Sequence, residues 1–403
     1  MVLKNINKNF PLKHSVRLPA SKSVCNRLLV LKYLQGNSFE IEGVSEADDS
    51  QLLQSILATN ELSGELNVKN AGTCFRFLTA VCAIGNSEVI LTGSREMKKR
   101  PIKELVEPLR SLGAEIQYLE KKGFPPIKIN GKQLNGGKVE VNAEISSQYV
   151  SALLLIAPFL EKGLVVEQTG EPKSKSYTNM TISLLKRMGV SVKEESKTIS
   201  VLPIIHFFTN RIEIEADWSS ASYWYELISF LPVNSKIQLQ RVKTFSIQGD
   251  REIQNMFKSF GVSTLEGRTG IEIVKTSEPK ITTFEYDFSS IPDMVQTFAV
   301  TCIGLGINGV FQGVSHLVYK ETNRIQALKN EAEKLNYSLE MLDENSFELK
   351  KKGAIPSQVS ISTYHDHRMA MAFAPLAAVI EQVEIENPQV VAKSYPGFWD
   401  EFC

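Results

Sequence analysis

A helix closed by a turn residue and followed at once by a short strand recurs along this chain at a nearly fixed interval. Amphipathic runs at residues 105–113, 182–189 and 253–261 each end on glycine, and the run at 325–336 ends on asparagine. The segments that follow, Ala-Glu-Ile, Val-Ser-Val, Val-Ser-Thr-Leu and Tyr-Ser-Leu-Glu, read as strands. Glycine or asparagine at such a helix end fits a left-handed cap. The ends lie 189 − 113 = 76, 261 − 189 = 72 and 336 − 261 = 75 residues apart. A period near 75 exceeds that of a solenoid unit. It predicts an α/β protein built from repeated subdomains, each a helix packed on a small sheet. Helix-glycine-strand also occurs singly in any α/β protein, so the regular spacing carries the expectation.

A chain of 403 residues outgrows one ordinary core, which predicts two domains. No low-complexity linker separates them. Residues 11–19 and 210–217 are the plausible crossing points. If the chain crosses at both, the N-terminal strand belongs with the C-terminal half and the ligand site lies between the domains, where small-molecule sites are common. Forty-five basic residues balance 45 acidic ones, so no global field attracts nucleic acid or an anionic membrane. Cys25, Cys74, Cys82, Cys302 and Cys403 are odd in number and form no CxxC pair, which argues against a zinc site or a disulfide framework. No metal and no cofactor are expected. Residues 1–11 lack the apolar core of a leader peptide, and the longest mainly apolar stretch, 150–160, is roughly half of a membrane span. The expectation is a cytoplasmic protein.

Against that neutral background, Lys and Arg recur in short clusters beside Ser, Asn and Gly, a pattern suited to a small, multiply charged anion. Lys22-Ser23 opens the helix at residues 24–34, where free N–H groups and the dipole favour anions, and Arg27 shares a face with Ser23. Asn70-Ala71-Gly72-Thr73 precedes a second apolar helix; the glycine permits close approach to a ligand, and a simple cap is the other reading. Ser146-Ser147-Gln148 stands before the apolar helix at 149–160, and Ser174-Lys175-Ser176-Tyr177 before the helix at 180–188. Tandem hydroxyls there suit a phosphate and equally suit capping. Asp293, after Pro292, is an N-cap or a general base. In Lys320-Glu321-Thr322-Asn323-Arg324 two cations stand at i,i+4, a repulsion that an anion would relieve on a helix, and Glu321 can shuttle a proton. His365-Asp366-His367-Arg368 lacks zinc spacing; it reads as an arginine oriented by Asp and His, or as a polar cap, on an apolar helix running to Ile380.

Taken in order with Arg100-Pro101 and Lys393-Ser394-Tyr395-Pro396, these motifs resemble the 5-enolpyruvylshikimate-3-phosphate synthase family (3-phosphoshikimate 1-carboxyvinyltransferases), over residues 18–398. The resemblance implies a two-domain inside-out α/β barrel with three subdomains per domain, here residues 20–214 against 1–19 joined to 215–403. It implies transfer of the enolpyruvyl group of phosphoenolpyruvate to the 5-hydroxyl of shikimate 3-phosphate, with release of phosphate, by a monomer without metal. By the same resemblance Ser146, Ser147 and Ser174 hold the shikimate phosphate near Tyr177, Ser23 and Arg27 its carboxylate, and Asp293 and Lys320 its ring hydroxyls; Lys22, Gln148 and His316 complete that set. Lys22, Asn70, Gly72, Arg100, Gln148, Arg324, Arg368 and Lys393 surround phosphoenolpyruvate, and Asp293, Glu321 and Lys22 transfer protons. Such a crowd of cations matches the chemistry, because two polyanions must be brought together.

Departures from the family pattern accompany the match. Only 70 − 49 = 21 positions separate Asp49 from Asn70, where a longer strand-rich segment is usual. Ala20-Ser21 stands where Gly-Asp is common, His316 where Asn is frequent, and Phe77 where Pro is frequent, which leaves glyphosate sensitivity open. Two alternatives stand beside this reading. The UDP-N-acetylglucosamine enolpyruvyl transferases share the fold but carry a reactive cysteine before their Arg-Pro, and residues 94–99 here hold none. The other is an inactive homologue that only binds an anion.

Overall fold

The computed structural model describes residues 1–5, 13–59, 61–144 and 146–403. Residues 6–12, which include part of the expected N-terminal crossing and of the segment read for a leader, lie outside them. The chain divides into two compact units, one comprising Met1–Ser21 with Glu215–Cys403 and the other Lys22–Ile214.

Among the described residues the strands form six sheets, and four of these share one topology. In the unit Lys22–Ile214, Gly64–Asn67 pairs in parallel with Glu88–Thr92, which pairs antiparallel with Ile127–Asn130, itself in a hairpin with Glu115–Tyr118. The same order is repeated by Gly137–Asn142, Leu164–Thr169, Thr198–Val201 and Val192–Glu194. In the other unit it is repeated by Lys13–Arg17, Lys236–Gln240, Gly270–Lys275 and Val262–Glu266. It returns in Thr283–Asp287, Asn308–Gln312, Ser346–Lys351 and Tyr337–Asp343. The remaining two sheets keep only part of the plan. Arg211–Glu213 pairs in parallel with Glu40–Glu42, and Gln358–Ile361 pairs in parallel with Gln382–Ile385, which also takes Val2–Lys4 antiparallel. One strand of the two-stranded sheet, Glu40–Glu42, lies just before Asp49, where the short segment to Asn70 begins.

The residues that set the period do so through backbone conformation. Gly113, Gly189, Gly261 and Asn336 have φ of 99°, 90°, 76° and 60°, and a hairpin strand begins within three residues of each. Glycine adopts this left-handed region freely and asparagine tolerates it. At Gly261 the space is closed as well, because a Cβ there would collide with the Ser277 carbonyl.

Apolar helices fill the middle of each unit. Trp218–Phe230 is buried along its whole length and packs on Val295–Leu305 and His367–Phe373; in the other unit Lys22–Leu34, Gly72–Ala83 and Ser147–Ile156 pack on one another. Two helices are shorter than their apolar runs suggest. Ser147–Ile156 gives way to a 3-10 turn at Ala157–Phe159, and His367–Phe373 to one at Ala374–Ala378, so neither helix reaches residue 160 or Ile380. Pro158 and Pro375 account for both breaks, since proline lacks the N–H and its ring clashes with the carbonyl four residues back. The run at 253–261 is likewise a single α-turn, Ile253–Met256, flanked by 3-10 turns.

One core residue conflicts with its surroundings. Glu226, inside Trp218–Phe230, is fully buried, and neither carboxyl oxygen has a hydrogen-bond partner. Burial pushes its pKa well above the ordinary value of 4.5. The folded protein therefore holds this proton more tightly than the unfolded chain. The associated stability is complete below about pH 4.5 and drains away as pH rises towards the raised folded value. Glu226→Gln is expected to raise Tm at neutral pH by several degrees and to flatten its decline with pH. Parallel Tm–pH curves for the two proteins would refute a buried neutral acid.

Candidate active site

The central helices that carry the sequence motifs each begin just after the carboxyl end of a strand, the position where open α/β sheets bind ligands. Free N–H groups and helix dipoles gather there before any side chain is counted.

In the unit Lys22–Ile214, Arg27 is the best-held cation. Its guanidinium, 3% exposed, donates from Nε to Thr181 Oγ1 at 2.7 Å and from Nη1 to the Ser23 carbonyl at 2.8 Å. Nη2 reaches Ser151 Oγ at 3.2 Å and the Tyr177 carbonyl at 3.1 Å, and the group lies 5.4 Å from the centre of the Phe77 ring. Every one of these partners is neutral, and burial lowers the pKa to about 10. An anion would supply the missing counter-charge. Lys22, by contrast, is paired with Asp49 at 3.1 Å.

Gly72 and Arg100 are adjacent. A Cβ on Gly72 would lie 2.7 Å from Arg100 Cζ, so only glycine lets the guanidinium lie on this backbone. Arg100 Nε and Nη1 are buried without hydrogen-bond partners. Gln148 Nε2 donates to Thr73 Oγ1 at 3.3 Å, which ties the starts of Gly72–Ala83 and Ser147–Ile156 together. The capping alternatives now separate. Ser146 does cap, accepting from the Gln148 N–H at 3.2 Å. Gly72–Ala83 and Lys175–Arg187 have no side-chain cap bond, and Ser174 stands at its helix start in the left-handed region with φ of 55°. Asn70 lies two residues before Gly72, outside the helix.

The other unit gathers seven charged side chains in one cluster, with the Asp293 carboxylate at its centre. Asp293 Oδ1 accepts from Arg324 Nη1 at 2.9 Å and lies 3.5 Å from Lys320 Nζ; Oδ2 accepts from Arg368 Nη2 at 2.8 Å. Burial opposes ionisation, but Arg368, Lys320 and Arg324 hold the carboxyl well below the usual carboxylate range. Glu321 bridges Arg324 Nη2 at 2.9 Å and Lys393 Nζ at 3.2 Å. Asp366, fully buried, takes Arg324 Nε at 2.7 Å and caps His367–Phe373 through the Arg368 N–H at 2.9 Å. Four cations therefore face three carboxylates, leaving one positive charge. Lys320 is pushed below the ordinary lysine value, by burial first, against the pull of Asp293. Asp250, buried and hydrogen-bonded to Ser219, is pushed up to about 7 by burial and then by the charge of Asp293.

Three local expectations fail here. Lys320 and Arg324 do not share a helix, because the helix begins at Arg324 with Asn323 as its cap. Asp293 stands between the two cations and pairs with both. Asp293 is not a helix cap, since both of its oxygens face cations. The Arg368 side chain donates to Asp293 and to Tyr223 Oη at 3.4 Å, partners that were not expected, while Asp366 accepts from its backbone N–H. His316 is buried in the turn Ser315–Tyr319, just before Lys320. Sequence reading missed Asp49, Tyr223 and Asp250 as parts of these clusters and the pairing of Asp366 with Arg324, and also Arg76, whose signal was a lone charge inside an apolar helix.

The fold and these two clusters define an enolpyruvyl transferase architecture. The enolpyruvyl transferase NikO from Streptomyces tendae superposes with a TM-score of 0.74 at 12% identity, covering 100% of this chain and 96% of its own. An EPSP synthase from Acinetobacter baumannii gives 0.78 at 21%, covering 99% and 97%. Sequence carries the assignment further. Residues 53–402 match the family model of EPSP synthase (3-phosphoshikimate 1-carboxyvinyltransferase). A 3-phosphoshikimate 1-carboxyvinyltransferase of Bacteroides fragilis (strain YCH46) is 40% identical over 393 residues, 97% of this chain and 94% of its own length. One from Actinobacillus pleuropneumoniae serotype 5b (strain L20) is 32% identical over 417 residues, covering 96% and 95%. The chain belongs to the EPSP synthase family.

The charge balance around Asp293 is testable without substrate. Asp293→Asn leaves Lys320, Arg324 and Arg368 with one counter-charge fewer. The variant is expected to melt below the parent in anion-free buffer and to gain more Tm from inorganic phosphate. Equal phosphate dependence in both proteins would contradict it.

Proposed function

We infer that the two clusters serve the reaction of the family, transfer of the enolpyruvyl group of phosphoenolpyruvate to the 5-hydroxyl of shikimate 3-phosphate with release of phosphate. The observation that carries the residue-level reading is Asp293, one ionised carboxylate gripped by Lys320, Arg324 and Arg368. The shikimate phosphate falls to Ser146, Ser147 and Ser174, and its carboxylate to Ser23 and Arg27, the buried cation with only neutral partners. Lys320 and Asp293 take its ring hydroxyls. Phosphoenolpyruvate is assigned to Lys22, Gly72, Arg100 and Gln148 of one unit and to Arg324, Arg368 and Lys393 of the other. The same reading takes residues 20–214 and 1–19 with 215–403 as the functional domains.

Asp293 is held ionised in this setting and carries no proton to donate, so its part is to accept the one leaving the 5-hydroxyl. Anionic substrate on Arg324 and Arg368 weakens their hold on Asp293 and restores its basicity. The proton added to the methylene carbon of phosphoenolpyruvate then comes from Glu321 or Lys22. That protonation makes the neighbouring carbon electrophilic, and the 5-hydroxyl oxygen bonds to it. Loss of phosphate and of a methyl proton from the tetrahedral adduct restores the enol double bond. The surrounding cations stabilise the charge that collects on the departing phosphate.

A net charge of zero supports action on small anions without a nucleic-acid partner, and five cysteines that form no disulfide support the cytoplasm as the compartment. Among the described residues no helix is long and apolar enough to cross a membrane. The protein is taken to act as a monomer.

Purified protein is expected to release phosphate only when both substrates are supplied. Asp293→Ala should lower kcat by about 10²–10⁴-fold, the usual contribution of a general base. Binding of shikimate 3-phosphate without turnover would instead favour an inactive anion-binding homologue. The lowered pKa of Lys320 also predicts an alkaline limb in kcat/KM below the ordinary lysine value of 10.5, moved upward in Lys320→Arg. A limb that stays in place in the variant would assign it to another group.

A further inference from the structure

Arg100 presents a problem of placement. Its guanidinium rests on the backbone of Gly72, and Nε and Nη1 find no hydrogen-bond partner. Among the described residues no ion pair holds the side chain, so the backbone of its loop sets the position. That backbone is fixed on both sides. Before the side chain, the Arg100 N–H donates to the Met97 carbonyl at 3.0 Å. After it, the Pro101 carbonyl accepts two side-chain donors, Tyr149 Oη at 2.6 Å and Arg76 Nη2 at 3.0 Å.

Arg76 does more than hold the loop. From one turn inside Gly72–Ala83, its Nη1 also donates to the Gly72 carbonyl at 3.1 Å. One planar guanidinium thus spans from Gly72 to Pro101, the two backbone points that determine how Arg100 lies on the glycine. Arg76 is 3% exposed and Tyr149 is 1% exposed, and the guanidinium stands 5.9 Å from the Tyr149 ring centre. A buried, fork-shaped donor with two carbonyl acceptors is a rigid spacer; lysine, a single point donor, cannot span both.

We propose that Arg76, braced by Tyr149, is the positioning residue of the phosphoenolpyruvate subsite, fixing the distance between Gly72 and Arg100. The proposal rests on the reading that Gly72 and Arg100 bind phosphoenolpyruvate. Neither Arg76 nor Tyr149 needs to touch substrate. Both act through Arg100.

The test is a set of substitutions in the full chain, read by steady-state kinetics and by calorimetric binding of phosphoenolpyruvate. Arg76→Met is expected to lower kcat/KM for phosphoenolpyruvate about 10–100-fold, as loss of a supporting contact does, with the KM for shikimate 3-phosphate unchanged. Tyr149→Phe removes one hydrogen bond and should cost about 2–10-fold with Tm preserved, which keeps the test sound if Arg76→Met folds poorly. Arg76→Lys should recover little. In an Arg100→Ala background, either substitution should add less than about twofold, because the residue they position is gone. The calorimetric arm gives the same pattern of losses without turnover, so a parent protein that binds phosphoenolpyruvate but fails to react would count against the proposed function alone. Unchanged phosphoenolpyruvate affinity in both Arg76→Met and Tyr149→Phe would overturn the positioning role, and so would losses that multiply in the Arg100→Ala background.

Discussion

One carboxylate shared among three cations organises much of what this protein can do. Without Asp293, Lys320, Arg324 and Arg368 would stand as like charges in a site that excludes much of the water. With it, they can be packed together and still leave positive charge for a substrate. Asp366 and Glu321 extend the arrangement by taking the remaining edges of Arg324, and Asp366 also starts the helix that delivers Arg368. Structure and electrostatics are therefore the same contacts here. The group that could act as base is also the group that holds the cations in place.

The second unit solves its charge problem differently. Arg27 is buried among hydroxyls, carbonyls and an aromatic face, and none of its partners among the described residues is a carboxylate. Arg100 lies on a glycine, with donors left over. These cations are held by neutral groups and so keep their full charge for a ligand. Those around Asp293 are partly neutralised and instead hold its carboxyl well below the usual carboxylate range.

Much of the fold was legible because it is written in short-range signals. Gly113, Gly189, Gly261 and Asn336 each dictate a left-handed turn from their own chemistry, and the hairpins follow. The motifs at helix starts were legible for the same reason. What escaped was long-range or three-dimensional. Asp49 meets Lys22 across 27 residues and Asp366 meets Arg324 across 42, and nothing local marks either pair. The placement of Lys320 outside the helix followed from Asn323, a cap residue visible in the sequence whose consequence for the cation spacing was not drawn. The same holds for Pro158 and Pro375, which end helices that their apolar runs would have continued.

The order of the chain through its sheets has a consequence for synthesis. Strand Lys13–Arg17 pairs with Lys236–Gln240, so Lys13 waits for a partner 223 residues further on. Val2 waits longer, for Glu384. At the usual pace of translation that first wait is roughly 10–45 s. Lys22–Ile214 is meanwhile continuous and complete, able to fold as it emerges. A nascent chain halted there would carry a finished unit behind N-terminal strands whose edges have nothing to pair with, an invitation to chaperones or to aggregation. Strands Val2–Lys4 and Lys13–Arg17, made before most of this sequence, are among the last to find their places.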